Sequence, residues 1–289
     1  VHASAGTALV QGSQLVRNAV NDRIRTAFEN AEAEQTPALA YRATGSNAAA
    51  AAIGSALTPA DKTKPMAWAS AFGTWGRTDG GRHAASLSHA SGGILAGIDG
   101  FVTPSWRVGI MGGYSHSTFD ANGRASSGSS DNYHLGLYGG TQMGALGLRA
   151  GATYTWHDVS TSRLVAFPGF ADSLSAEYGA GTFQAFGELG YSVDTPGVSI
   201  EPFANLAYVN FRADGFTETG GASALASGGQ SNDTMFTTLG VRASTAFDLA
   251  GMKTTAHGTI GWRHAYGDVV PTISHVFAGG SAFTVAGAP

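Results

Sequence analysis

Between Ser105 and Asp158 the chain alternates with period two. In S-W-R-V-G-I-M-G-G-Y-S-H-S-T-F, Trp106, Val108, Ile110, Gly112 and Tyr114 share one register, and Arg107, Gly109, Met111, Gly113 and Ser115 fill the other. D-N-Y-H-L-G-L-Y-G-G-T follows, then a tight Q-M-G-A turn. After it Leu146, Leu148, Ala150, Ala152, Tyr154 and Trp156 alternate with Gly147, Arg149, Gly151, Thr153, Thr155 and His157. Successive side chains of a strand point to opposite faces, so each strand has one apolar face and one small or charged face. A soluble sandwich points its large residues into a core and sends Lys, Glu and Thr to water. Here the polar register is mostly glycine with an occasional Arg, and the apolar register carries Trp or Tyr near its ends. An apolar band with aromatic girdles around a polar interior is the pattern of a transmembrane β-barrel. The predicted class is therefore all-β, an antiparallel up-and-down meander.

The same pattern predicts nine strands, at about 66–77, 92–102, 105–119, 131–142, 145–158, 181–194, 197–211, 233–248 and 251–266. T-P-S, Q-M-G-A, D-T-P-G and L-A-G-M make tight turns. The other connections, Thr78 to Ser91, Asp120 to Ser130, Val159 to Ala180 and Arg212 to Asn232, are long and polar. Short and long connections alternate, as they do between the periplasmic and extracellular ends of outer-membrane barrels. Such barrels close with an even strand count, and an unpaired edge is not viable in a bilayer. At least one further strand, and three on the best count, is expected to follow Pro289.

Ahead of the strands, about Gly6 to Glu34 reads as one helix. Leu9, Val16, Val20, Ile24 and Phe28 form a narrow stripe at spacings of seven and four, with Asn18, Asp22, Arg23, Arg25 and Glu29 around it. By itself that stripe suits a soluble core, a partner or a polar pore. A barrel of this size leaves a hole to be filled, which favours the pore. The expected division is a pore helix at 1–34, a periplasmic linker at 35–65 with a short helix around Asn47 to Leu57, and a barrel at 66–289 that lacks its last strands.

Of 289 residues, 42 are Gly and only 12% are charged, yet the aromatics and the alternation argue against disorder. A net charge of -4 with no basic run argues against a nucleic-acid binder. The absence of cysteine excludes a disulfide scaffold and a thiolate site, and suits passage through an oxidising periplasm. No apolar run approaches the roughly 20 residues of a membrane helix. V-H-A-S-A-G is not a signal peptide, so the chain is read as a fragment with more sequence upstream. Asp99, Arg107, Arg149, Glu188, Glu201, Arg242, Lys253 and Arg263 fall on the polar register. Each would cost several kcal/mol in hydrocarbon, so each is expected to face the lumen. They either pair with the pore helix or simply solvate the channel.

Several segments together resemble the translocator domain of bacterial autotransporters (type V secretion), over the whole chain. They are M-A-W-A-S-A-F-G-T-W-G-R, G-G-I-L-A-G-I-D-G-F with W-R-V-G-I-M-G-G-Y-S, H-L-G-L-Y-G-G, and T-I-G-W-R-H-A-Y-G-D with F-A-G-G-S-A-F-T-V-A-G-A-P. The resemblance implies a monomeric twelve-stranded barrel in outer-membrane lipid with a helix in its pore. It also implies an upstream passenger exported to the cell surface, the barrel-assembly machinery as insertion partner, and no cofactor. V-R-N-A-V-N-D-R-I resembles the segment at which some members release the passenger by asparagine-driven self-cleavage. That places the scissile bond at Asn18–Ala19, matches Asn21 and Arg23 to flanking positions, and makes Glu188 and Glu201 possible assistants. The plain alternative is that Asn18 is a polar residue on a helix in a wet pore.

The nine histidines show no metal-ligand spacing, and no nucleophile elbow, P-loop or dinucleotide motif occurs. His157–Asp158 and Arg263–His264 near the strand ends leave a barrel protease as one alternative. A diffusion porin and a soluble β-rich adhesin are the others.

Overall fold

The computed structural model describes residues 2–32, 65–78, 86–121, 123, 125–249 and 252–287. The linker expected at 35–65 and its short helix lie outside the described residues, Pro65 excepted. Helix α1 runs from His2 to Glu32, some residues earlier than its apolar stripe. The strands that follow are β1 (Met66–Thr78), β2 (Leu87–Phe101), β3 (Trp106–Ala121), β4 (Ser126–Met143), β5 (Leu146–Phe167), β6 (Phe170–Tyr191), β7 (Val193–Thr195) and β8 (Val198–Ala213). They continue with β9 (Phe216–Thr217), β10 (Leu225–Ser227), β11 (Gln230–Leu249), β12 (Met252–Gly267), β13 (Thr272–Phe277) and β14 (Phe283–Ala286).

Nine of these make one antiparallel sheet in the order β1-β2-β3-β4-β5-β6-β8-β11-β12, with β7 paired to β8. These are the nine predicted strands. The sheet curls into a half-barrel around α1, and β1 and β12 are its two outer strands. A second sheet, β14-β13-β10-β9, joins two connections at one end.

Register fixes which side chains share a face. Ile94 pairs with Tyr114, Tyr114 with Tyr133, and Tyr133 with Trp156, all pointing outward. A second outward row runs Ile98, Ile110, Leu137, Ala152, Ala185, Tyr208, Met235 and Tyr266. Ile110 and Leu137 keep 60% and 63% of their surface open, which in water would be a large uncompensated apolar wall. Trp106 and Tyr114 stand roughly 26 Å apart along β3 at about 3.3 Å per residue, close to the height of a membrane barrel's apolar band.

The inner face is not the glycine-and-arginine surface that the sequence suggested. Leu95, Met111, Tyr138, Phe186, Val209 and Phe236 point inward and bury against Val16, Val20 and Ile24 of the helix. Nearer the loop end, Leu87, Phe119, Val159 and Phe211 close on Ala5 and Leu9. Glycines fill the gaps between these side chains, so period-two reading saw the glycines and undercounted what they make room for.

The long loops also differ from expectation. β5 and β6 remain paired until Phe167 meets Phe170, so Val159 to Ala180 is a hairpin extension. β3 and β4 likewise continue pairing to Ala121 and Ser126. Beyond the Tyr114–Tyr133–Trp156 row the alternation inverts. Asp158, Ser160, Ser162, Ser173, Ser175 and Glu177 face outward, while Val159, Thr161, Leu174 and Ala176 face inward. An ordinary water-facing strand reads that way, so a filter for greasy outward residues stops at the aromatic row.

Placing a charge on either side of that row tests the boundary. Leu137→Arg is expected to lower the barrel's unfolding free energy in lipid vesicles by about 2–4 kcal/mol, and Asp158→Arg by under about 1 kcal/mol. Equal costs for the two would place the hydrocarbon elsewhere.

Candidate functional site

The concave face and the helix form a stack of layers. At the turn end of the strands, Arg149 and Glu188 are register partners, as are Glu201 and Arg242. Arg149 donates from Nη1 to Glu188 Oε1 (3.1 Å) and Glu201 Oε1 (2.9 Å), and from Nη2 to Glu201 Oε2 (2.7 Å). Arg242 donates to Glu188 at 2.8 and 2.9 Å and to Glu201 at 2.8 Å. Its guanidinium lies 3.7 Å from the Phe203 ring centroid. Arg149 is 2% exposed, so both charges are needed to make the burial of either tolerable. Gly190 permits the approach, because a Cβ there would stand 2.7 Å from the Glu201 carboxyl carbon. The helix joins through Asn21, whose Nδ2 donates to Glu188 Oε2 at 3.2 Å.

Across the lumen Asp99 of β2 accepts four hydrogen bonds. Arg23 gives two, from Nε (2.7 Å) and Nη2 (2.9 Å); Arg107 gives one from Nε (2.5 Å), and Tyr138 one from its hydroxyl (2.7 Å). Trp68 of β1 donates in turn to the Tyr138 oxygen at 2.5 Å. Two wall clusters thus hold the helix between residues 21 and 23.

Above them Arg17 donates to Gln184 Oε1 (3.0 Å), and Gln184 returns a bond to the Ser13 carbonyl (3.0 Å). The next layer bonds within the wall. Asn132 donates to Ser115 and Ser117 and accepts from Ser130. His157 spans Asn132 and Thr182, and His134 spans Ser115 and Thr155.

At the outer end His2 meets Glu218 at 3.0 Å. Burial works against ionisation of Glu218, but hydrogen bonds from His2, Arg163 and the Leu225 amide outweigh it and hold its pKa at about 2. Beside it, burial and the neighbouring His2 lower His275 to about 4.

Of the expected lumenal charges, Asp99, Arg107, Arg149, Glu188, Glu201 and Arg242 lie in these two clusters. Arg263, on outer strand β12, is exposed yet donates to Gln14 and lies 5.3 Å from the Phe236 ring. Lys253 pairs by backbone with Asp248; its side chain is outside the described ones. The structure does not bring Asn18 to Glu188 and Glu201. Asn18 is exposed, alone among the described helix side chains, and Asn21, one turn on, takes the place beside Glu188. The helix rotates about 100° per residue, and Val16 and Val20 must face the wall, which turns Asn18 to the uncovered side.

His157 and Asp158 do not converge either: one is buried in the wall and the other faces out. His116 pairs with Asp131 at 2.9 Å on the outer surface, where Tyr114 also donates to Asp131. His264 stacks outward between Trp262 and Tyr266. Sequence reasoning missed Gln184, Tyr138, the His2–Glu218–Arg163 group and Asn205, whose Nδ2 donates to Glu188 Oε2 at 3.3 Å. Gln184 and Glu188 share a strand face four residues apart, which was a readable sign; Glu218, in a Gly-rich loop, gave none.

The autotransporter β-domain family model matches residues 67–289. The chain belongs to that family. As an autotransporter translocator domain it is an outer-membrane β-barrel. An extracellular serine protease of Serratia marcescens is 36% identical over 267 residues, 92% of this chain and 23% of that protein. A second extracellular serine protease of Serratia marcescens is 42% identical over 201 residues, 70% and 19% respectively. The translocator thus spans about a fifth of the length of these curated relatives. The translocator domain of the autotransporter NalP from Neisseria meningitidis superposes with a TM-score of 0.51 at 14% identity, over 73% of this chain and 80% of that one. The β-domain of the Bordetella autotransporter Brka gives 0.53 at 15% identity, over 76% and 89%. At these identities the likeness is one of fold.

The Arg149 quartet offers a direct test. Arg149→Met leaves two carboxylates facing one guanidinium and is expected to cost about 3–5 kcal/mol in denaturant unfolding of the lipid-embedded protein. Adding Glu201→Gln should recover part of that loss; no recovery would show that the charges are not coupled.

Proposed function

We propose that this domain delivers an upstream passenger of the same chain to the cell surface and keeps α1, from Ala19 onward once the passenger is released, as the plug of the pore it used. The carrying observation is the helix on the concave face, its Asn21, Arg23 and Arg17 bonded to wall residues that would otherwise line a wet channel. Taking the strand extensions with polar outer faces as the extracellular end, and the tight turns as the periplasmic one, follows the pattern of outer-membrane barrels. The outer strands β1 and β12 expose ladder groups that hydrocarbon cannot satisfy, which supports closure by further strands. Insertion of such a barrel by the barrel-assembly machinery, as a monomer, completes the reading. The serine protease activity in the relatives' names belongs to proteins several times longer, and what the passenger does here is left to its own sequence.

Deleting residues 1–32 from the full native protein separates translocator from porin. Planar-bilayer conductance is expected to rise severalfold on deletion; an unchanged conductance would show that the helix plugs nothing.

Passenger release by cleavage of Asn18–Ala19 is part of the same proposal. Asn18 Nδ2 attacks the carbonyl carbon of its own residue and closes a succinimide. The bond to Ala19 breaks, and the Nδ2 proton ends on the Ala19 nitrogen. Asn18 faces the side of the helix that the sheet leaves uncovered, where closing strands would enclose it. A membrane fragment beginning at Ala19, lost in Asn18→Asp, is the expected mass-spectrometric result. An intact chain from the native protein would exclude it.

A further inference from the structure

Above the aromatic row the first turn of the helix lies beneath a roof. Two separate connections build it. Residues 216–227 join β8 to β11, residues 272–286 follow β12, and the two meet where β10 pairs with β13. Phe216, Leu225 and Ile273 are buried under this small sheet. The first helical turn fills the space below. The His2 ring lies 4.4 Å from Phe216, which stacks at 4.6 Å on Tyr178, and 5.8 Å from His275. A Cβ on Gly287 would come within 2.8 Å of the Ala3 backbone, so the second segment closes directly on the helix.

One carboxylate ties the parts together. Glu218 accepts from His2, from Arg163 of β5 and from the Leu225 amide of β10, and Arg163 also reaches the Ser223 carbonyl at 3.1 Å. His2 touches both roof segments by side chain, Phe216 and Glu218 in one and His275 in the other. Its Nε2 is the donor, since the carboxylate beside it is ionised.

We propose that this four-stranded sheet is a lid that latches on His2 while the helix is whole, so that the two roof segments close on the helix only in the register seen here. With His2 out of this register Glu218 is one donor short and the Phe216–Tyr178 stack lacks its third ring. The lid then opens more often, because a buried acceptor short of a partner is costly. The proposal rests on reading the strands as an outer-membrane wall, and its test separates the two.

The chain holds no cysteine, so Ile273→Cys, at a position 5% exposed, reports on the lid alone. The full native protein carrying Asn18→Asp, which keeps His2 joined to the barrel, is displayed on intact cells, with any passenger cysteine changed to Ser, and treated with a membrane-impermeant maleimide. Labelling is expected to be slow in this background and roughly ten- to a hundredfold faster with His2→Ala. His2→Gln, whose amide can still donate to Glu218, should stay near the slow rate. Leu225→Cys repeats the measurement from the other segment, and heat-modifiable gel migration confirms the folded barrel in each variant. Equal rates with and without His2 in folded barrels overturn the latch. Failure of both cysteine variants to enter the outer-membrane fraction overturns the wall on which it depends.

Discussion

Hydrocarbon gives a backbone nothing to bond to, so a spanning sheet must satisfy its own ladder and send every charge to the side away from lipid. The rest of this structure follows from that one-sidedness. Below the aromatic row, outward positions of β2–β6, β8 and β11 hold mostly Ile, Leu, Ala, Tyr and Trp, and the charges collect on the concave side. There they must be neutralised among themselves, since burial of an unpaired ion costs several kcal/mol. Arg149 and Arg242 against Glu188 and Glu201 sum to zero. Asp99 and Arg107 of the wall likewise sum to zero, and Arg23 of the helix adds a second cation that gives Asp99 two of its four hydrogen bonds.

Strand length obeys the same constraint with its sign reversed. Past the Tyr114–Tyr133–Trp156 row the solvent changes from lipid to water, and the strands continue by exchanging which face is apolar. Pairing is indifferent to the exchange, because the ladder is backbone. The extensions can then make a second enclosure, with Leu87, Phe119, Val159 and Phe211 as its inner lining. This explains how a roof can rest on the same strands that meet lipid lower down.

Legibility in the sequence tracks how local each constraint is. The nine strands could be read because lipid imposes a face on each one separately, and Trp106 or Tyr154 marks its place without reference to any partner. The lumenal charges could be read for the same reason, as charges excluded from lipid. Their pairing could not, since Glu188 and Arg149 are joined by sheet register and not by spacing along the chain. The side of the helix that carries Asn18 could not be read for a third reason. A helix in a pore has wall on some sides only, and whether a polar residue meets carboxylate or open space turns on rotation about the helix axis, which Val16, Val20 and Ile24 set jointly. Glu218 and Arg163 lie far apart in extensions read as loops, where no periodicity announced a contact.

Register along the helix axis is the remaining degree of freedom, and the wall clusters do not fix it by themselves. Arg17, Asn21 and Arg25 recur every four residues on one helix face. A slip of one turn would therefore offer Glu188 a guanidinium in place of the Asn21 amide. Apolar packing is equally forgiving, with Val16, Val20 and Ile24 spaced the same way. Such near-degeneracy suits a segment that must move past the wall before it stops. The stop needs a contact that does not repeat, and His2 supplies one: four residues further on stands Gly6, which has neither a ring for Phe216 nor a donor for Glu218.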